Sequence, residues 1–216
     1  MEREKTKLFG LYVITDEKLT PYEGEKIFKC VESALKGGAK VVQLRDKTHT
    51  DEELLEVALQ LKKLCHQYQA LFIVNDRVKL AKGVEADGVH LGIEDEALER
   101  VKVALPDKII GVSCYGDLER AKRAEALGAS YVAFGSFFPS PTKPASALVS
   151  KEILLQAKKE LKIPVCAIGG ITLEQAEELI KLGADLLAVI SDIWLARDIE
   201  DRARGYTELF RKYRKI

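Results

Sequence analysis

Gln43, Arg45 and Lys47 alternate along one short stretch of the chain. Alternate residues of an extended backbone share a face. An amide, a planar guanidinium and an ammonium point charge on one face suit a polyanion such as a pyrophosphate. The competing reading is a solvated strand end whose cations pair with Asp46 or Asp51. Asn75-Asp76 and Asp95 place two carboxylates behind successive apolar stretches. Such a pair could share one hard cation, most simply Mg2+, which takes one or two carboxylates together with substrate phosphate oxygens. General acid–base work, or for Asn75-Asp76 a helix cap or Asx turn, would use the same residues. Gly135 to Lys143 (GSFFPSPTK) gathers Ser140, Thr142 and Lys143 between stiffening prolines, groups that hold a phosphorylated ligand. Gly169-Gly170 and Ile190-Ser191 offer backbone N–H groups of the kind that face phosphate at a helix start, and Ser113 adds a further hydroxyl.

Each of these groups stands at the end of a short apolar run that reads as a strand: Leu11–Ile14, Val41–Leu44, Leu71–Val74, Gly88–Leu91, Ile109–Ser113, Tyr131–Phe134, Val165–Ile168 and Leu186–Ile190. Helical patterns fall between them, over about Tyr22–Lys36, Asp51–Tyr68, Val78–Ala81, Ala97–Leu105, Leu118–Leu127, Lys151–Leu161 and Leu173–Leu182, with a closing amphipathic run from Ile199 to Tyr213. Short joints of one kind, such as Gly128-Ala129-Ser130 and Gly183-Ala184-Asp185, introduce several strands. Eight strands alternating with helices, and no stretch long enough for a linker, predict an α/β fold: a single (β/α)8 TIM barrel spanning residues 1–216. A doubly wound open sheet is the alternative, but no G-x-G-x-x-G follows the first strand. In a barrel, chemistry belongs at the C-terminal strand ends, which is where the groups above stand.

Placed there, they predict two anion pockets. One, from the second to fourth strands plus Lys143, carries cations and a metal. The other, from the sixth to eighth strands, is built of amides and hydroxyls. Two such pockets suggest joining two phosphorylated substrates, or isomerising one. Lys+Arg and Asp+Glu both number 34, so nothing marks a nucleic-acid partner. No apolar run approaches a membrane span, and the polar start lacks a signal-peptide core, so a cytoplasmic location is expected. Cys30, Cys65, Cys114 and Cys166 form no CxxC pair and read as buried thiols. His90, inside an apolar strand, reads as a core residue, Trp194 and the tyrosines as packing, and Asp16 and Asp87 as caps or ladder ends.

Six segments together resemble thiamine phosphate synthase: YVITD (12–16), VQLRDK (42–47), VND (74–76), ADGVHLG (86–92), Phe134 to Lys143, and Ala167 to Ile171. The resemblance runs from about Leu11 to Ser191. It implies an Mg2+-dependent transferase that joins 4-amino-5-hydroxymethyl-2-methylpyrimidine diphosphate to 4-methyl-5-(2-hydroxyethyl)thiazole phosphate, or its carboxylated form, giving thiamine phosphate and releasing pyrophosphate (and CO2 from the carboxylated form). It further implies that Gln43, Arg45, Lys47, Asn75, Ser113 and Lys143 hold the pyrimidine diphosphate, with Arg45, Lys47, Lys143 and Ser113 in catalytic roles. Asp76 and Asp95 would bind Mg2+, and Ser140, Thr142, Gly170, Ile190 and Ser191 would line the thiazole phosphate side. Two departures stand out: Ile93 replaces the glutamine usual after the fourth-strand glycine, and Ser140 replaces a common threonine. The alternatives are a thiazole tautomerase of the same superfamily, which carries a histidine where this chain has Ser136, and a non-catalytic sensor of thiamine intermediates. The closing helix can pack on the barrel or on a second copy in a homo-oligomer.

Overall fold

The computed structural model describes residues 8–22, 25–92, 97–140 and 145–213. Its strands β1 (Gly10–Ile14), β2 (Val41–Leu44), β3 (Leu71–Asn75), β4 (Gly88–Leu91), β5 (Ile109–Tyr115), β6 (Tyr131–Phe134), β7 (Val165–Ile168) and β8 (Leu186–Val189) are all parallel. They pair in chain order, and β8 returns to β1 to close a barrel. Between them lie helices α1 (Lys26–Lys36), α2 (Asp51–Gln67), α3 (Val78–Gly83), α4 (Leu98–Ala104), α5 (Leu118–Ala126), α6 (Glu152–Glu160) and α7 (Leu173–Lys181). A short helix α8 (Ser191–Trp194) and a closing helix α9 (Ile199–Tyr213) complete the chain.

Side-chain alternation sorts each strand between two cores. Leu11, Val13, Val42, Leu44, Phe72, Val74, Val132 and Phe134 point outward and pack under the helices. Tyr12, Ile14, Val41, Ile73, Tyr131, Ala133, Cys166 and Ala188 point inward and fill the barrel. Barrel interiors are usually packed solid with branched side chains. Here Ala133, Cys166 and Ala188 are small, which leaves room above Tyr12 and Tyr131. Gly111 gives Tyr131 its place, since a Cβ there would stand 2.1 Å from the Tyr131 ring.

The predicted strands and helices recur with ends shifted by one or two residues, except at α1, which begins at Lys26 rather than about Tyr22, and at β5, which runs on to Tyr115 with a register shift against β6. Helix α8 was not anticipated; it forms where Trp194, 7% exposed, tucks under the end of β1 and donates its indole N–H to the Ile14 carbonyl at 2.6 Å. Helix α9 packs on the barrel, against α1 and α7, with Ala203, Tyr206 and Phe210 buried. Gly37 permits that contact, because a Cβ there would lie 2.4 Å from the Glu200 carbonyl. No helix among the described residues is long and apolar enough to cross a membrane.

Candidate active site

A cavity of about 480 Å³ opens at the C-terminal ends of the strands. That size lies within the range of about 300–1,000 Å³ typical of small-molecule sites. Of the residues singled out in the sequence, Gln43, Arg45, Asn75 and Ser113 line one side, and Ser140, Gly170, Ile190 and Ser191 the other. The two expected anion pockets are thus one continuous space. Thr142, Lys143 and Asp95 lie outside the described residues, as does Ile93.

Arg45 is fixed through its backbone. The buried Thr15 hydroxyl accepts the Arg45 N–H at 3.0 Å, and Thr15 N–H donates to the Gln43 carbonyl at 2.9 Å, splicing the end of β1 to the end of β2. The Arg45 guanidinium then reaches Glu17 at 3.9 Å, rather than the Asp46 or Asp51 that the sequence offered as partners. Asp51 is taken by Arg77 at 2.6 Å, and Asp46 closes the Thr48-His49 turn by accepting both backbone N–H groups. Lys47 leaves the cavity wall and pairs with Asp76 at the rim.

Asp76 sits just past β3 with φ 61, a left-handed position that Asp tolerates. Its Oδ2 accepts from the Asn75 amide at 2.7 Å and from Lys47. A hard oxygen donor at the mouth, among cations that can hold phosphate, fits Mg2+. That ion asks one or two carboxylates of the protein and completes its shell with water and substrate oxygens. Among the described residues no cluster of three or more His, Cys, Asp or Glu forms a larger cage.

Across the cavity, the loops after β6 and β7 are locked face to face. Phe137 and Phe138 donate their N–H groups to the Ile168 and Gly169 carbonyls at 3.2 and 3.0 Å. Gly169 and Gly170 both have positive φ, +102 and +64. A Cβ on Gly170 would stand 2.3 Å from the Pro139 carbonyl, so only glycine lets these loops approach. Asp192, next to Ser191, accepts Leu173 N–H at 3.1 Å and Arg202 Nε at 2.9 Å, tying α8 to the start of α7 and to α9.

His90, Tyr12 and Tyr131 are buried, as the sequence reading expected, but in the inner layer of the barrel. His90 is not sealed in the outer core: it faces the cavity, as do Tyr12 and Tyr131. The His90 ring bonds the Tyr131 hydroxyl and the Ser113 hydroxyl, each at 2.9 Å, and Tyr131 meets Tyr12 at 2.8 Å. Gln43 donates to the Tyr12 hydroxyl at 2.6 Å. Burial pushes both phenols above their ordinary value, so they stay protonated. Alternation carried the missing signal: Val89 and Leu91 point outward, so His90 must point in. Asp87 behaves as expected, its carboxylate accepting Phe72 N–H at 2.7 Å at the foot of the barrel.

The model of the family described as thiamine monophosphate synthase matches residues 11–193. The chain belongs to that family. A thiamine-phosphate synthase of Wolinella succinogenes is 46% identical over 211 residues, covering 97% of each chain. One from a Janthinobacterium species is 42% identical over 209 residues, covering 96% of this chain and all of that protein. A solved structure, thiamine phosphate pyrophosphorylase from Pyrococcus furiosus, superposes with a TM-score of 0.88 at 40% identity, over 97% of this chain and 98% of that one. The protein is thus an enzyme, a transferase of the thiamine phosphate synthase kind.

Proposed function

We propose that the single barrel is the catalytic domain and joins an aminopyrimidine diphosphate to a thiazole phosphate, or its carboxylated form, giving thiamine phosphate and pyrophosphate, and CO2 as well from the carboxylated form. One observation carries this reading: Arg45 on one wall and Gly170 with Ser191 on the other line one cavity, so two anionic ends have a place in a shared space. Gln43, Asn75 and Ser113 hold the pyrimidine part, while Arg45, Lys47 and Lys143 hold its diphosphate. Ser140, Thr142, Gly170, Ile190 and Ser191 receive the thiazole phosphate, whose charge suits backbone N–H groups and hydroxyls.

Asp76 and Asp95 are the residues that would hold Mg2+. When bound, that ion neutralises charge on the departing diphosphate. The protein's own part is electrostatic. Breaking the C–O bond leaves negative charge on the departing oxygens, and fixed cations at Arg45, Lys47 and Lys143 stabilise it before the reaction begins. The electron-rich aminopyrimidine carries the positive charge left on its methylene carbon, and the thiazole nitrogen then bonds to that carbon. The small apolar wall of Ala133, Cys166 and Ala188 offers no competing nucleophile, since burial pushes the Cys166 thiol far above its ordinary value. A cytoplasmic location suits such soluble substrates.

The test is pyrophosphate release with both substrates, with and without Mg2+, and with each substrate omitted. Mg2+-dependent release that requires the thiazole phosphate supports the reading, and Lys143→Ala should slow it by orders of magnitude. Tight binding of a thiazole phosphate without any pyrophosphate release would instead favour an isomerase or a sensor.

A further inference from the structure

The rim of the cavity has two unlike sides. Arg45 and the Lys47–Asp76 pair stand where β2 and β3 end, while the rim between β5 and the loop after β6 carries Tyr115, Ala147, Leu148 and Val149. The eight strands pair in chain order, so β2 and β6 stand opposite one another. On the apolar side, Tyr115 and Leu148 both line the cavity and yet remain 46% and 60% exposed. Single exposed apolar side chains are common and need no function. These two are not scattered. A Cβ on Gly116 would lie 3.3 Å from Val149 Cγ1, so the two segments meet one residue beyond Tyr115 and Leu148.

Backbone geometry, more than packing, sets the place of both. Strand β5 shifts its register between Ser113 and Tyr115. Tyr115 takes φ 54, and its carbonyl accepts the Gly135 N–H at 3.1 Å. That left-handed backbone is unfavourable for a bulky aromatic residue. Glycine stands one residue later, where it does not relieve the strain but makes room for Val149. Val149 in turn donates its N–H to the Ser136 carbonyl at 2.8 Å, which pins the Leu148 segment to the start of its own loop. A ring kept at the mouth despite backbone strain, facing a charged rim, points to a task at the mouth.

We infer that Tyr115 and Leu148 are specificity-determining residues that form an apolar lip and keep water from the reacting carbon. The inference rests on the function proposed above. Departure of pyrophosphate leaves a methylene carbon that either the thiazole nitrogen or a water molecule can take. In the second course the C–O bond breaks with its electron pair on pyrophosphate. A water oxygen then bonds to the carbon and releases a proton to solvent, giving a hydroxymethyl aminopyrimidine. Ser113, two residues before Tyr115 on β5, lines the same cavity, so a ring held at Ser113 lies inside the lip. The charged rim must stay wet to admit a diphosphate, which leaves the exclusion of water to the opposite side.

The test counts products. Pyrophosphate, thiamine phosphate and hydroxymethyl aminopyrimidine are measured in one reaction with both substrates and Mg2+ present. The wild-type protein should form pyrophosphate and thiamine phosphate in nearly equal amounts. Tyr115→Ala and Leu148→Ser should each raise the excess of pyrophosphate several-fold, matched by the hydroxymethyl aminopyrimidine formed. Tyr115→Phe restores the ring and should bring the ratio back toward wild type. A merely structural role would slow both products together and leave their ratio alone. Val103→Ser, at an exposed apolar residue of α4 outside the cavity, controls for loss of surface apolar area and should leave the ratio unmoved. Leu148→Ser, on an exposed loop, decides alone if Tyr115→Ala does not fold. Unchanged ratios in the lip variants, beside a wild type that forms thiamine phosphate, overturn this inference and leave the proposed function standing. A wild-type protein that forms no thiamine phosphate overturns the proposed function, and this inference with it.

Discussion

Lys47, at the end of β2, donates to Asp76 Oδ2, at the end of β3, across the rim of the cavity. The Lys47 side chain is 53% exposed, and pairs of that kind contribute about 0–1 kcal/mol to stability. The relationship is better understood as a site at rest, with an ammonium beside a carboxylate until a diphosphate and a divalent cation separate them. Lys47→Ala should therefore leave Tm within about 3 °C of wild type, since a kcal/mol is worth about 2–4 °C in a chain of this size. Pyrophosphate release should fall by about 100-fold or more, as when a preorganised charge is removed from a developing anion. Asp76→Asn, which keeps a residue that tolerates the left-handed backbone, should behave alike. Near wild-type turnover in either variant would remove these residues from the reaction.

Asp46 supplies a prediction about pH. It is 3% exposed, and its carboxylate accepts the Thr48 and His49 backbone N–H groups at 2.8 and 2.6 Å and the His49 ring at 2.9 Å. Burial pushes its pKa up, but the bonds from His49 and Thr48 outweigh burial and hold it well below the ordinary 3.8. A depressed carboxylate contributes stability above its unfolded value and loses it as pH falls through the folded one. The bond to Asp46 raises His49 above its ordinary 6.5, so that share is present below 6.5 and is lost as pH rises through the raised value. The Tm penalty of Asp46→Asn should hence be largest between about pH 4 and 6.5, at roughly 3 °C, and shrink on either side. Melting curves of both proteins from acid to alkaline pH would show it, and a penalty that ignores pH would refute the assignment.

The barrel was legible because its two periodicities are strong. Runs such as VVQL and LFIVN alternate with helices whose apolar residues recur on one face, and little else satisfies eight such repeats. The places of Arg45, Lys47 and Asp76 at the barrel mouth were legible for the same reason, since each follows a strand. What the sequence hid was direction within a strand. His90 and Tyr12 look like core residues when only their apolar neighbours are weighed, yet the alternation that sends Val89 and Val13 outward sends these two into the cavity. Helix α8 was hidden because four residues carry too little periodicity, and what holds it is the Trp194 bond to Ile14, 180 residues away. The partners of Arg45 and Lys47 were hidden because they depend on which strands become neighbours.

Gly170→Ala tests the far wall. The residue has φ +64, and a methyl group would stand 2.3 Å from the Pro139 carbonyl and 2.6 Å from that of Phe138. Both are backbone atoms, so the loops after β6 and β7 must part. Left-handed backbone alone costs a non-glycine residue about 1 kcal/mol, and the clash adds to it. The expected outcome is a several-fold rise in KM for the thiazole phosphate with little change for the pyrimidine diphosphate. Equal effects on both substrates would mean that Gly170 serves the cavity as a whole.

Arg202 tests whether the closing helix supports the same wall. Its guanidinium donates to both oxygens of Asp192, at 2.9 and 2.6 Å, and to Glu174 at 3.0 and 3.1 Å. Tyr206 donates to Asp192 at 2.6 Å. Asp192 is 11% exposed, and it holds the start of α7 beside Ser191. Arg202→Ala leaves that carboxylate without its cation, which should cost about 2–3 kcal/mol, short of the 3–5 typical of a fully buried pair. Tm should fall by about 5–10 °C at that cost. Because the loss comes from an orphaned charge, adding Asp192→Asn to Arg202→Ala should recover part of it, a non-additivity expected only of groups in contact. A double variant as unstable as the sum of the two single ones would show that Arg202 acts through Glu174 or through packing instead. If the network also positions Ser191, KM for the thiazole phosphate should rise in Arg202→Ala and return toward wild type in the double variant.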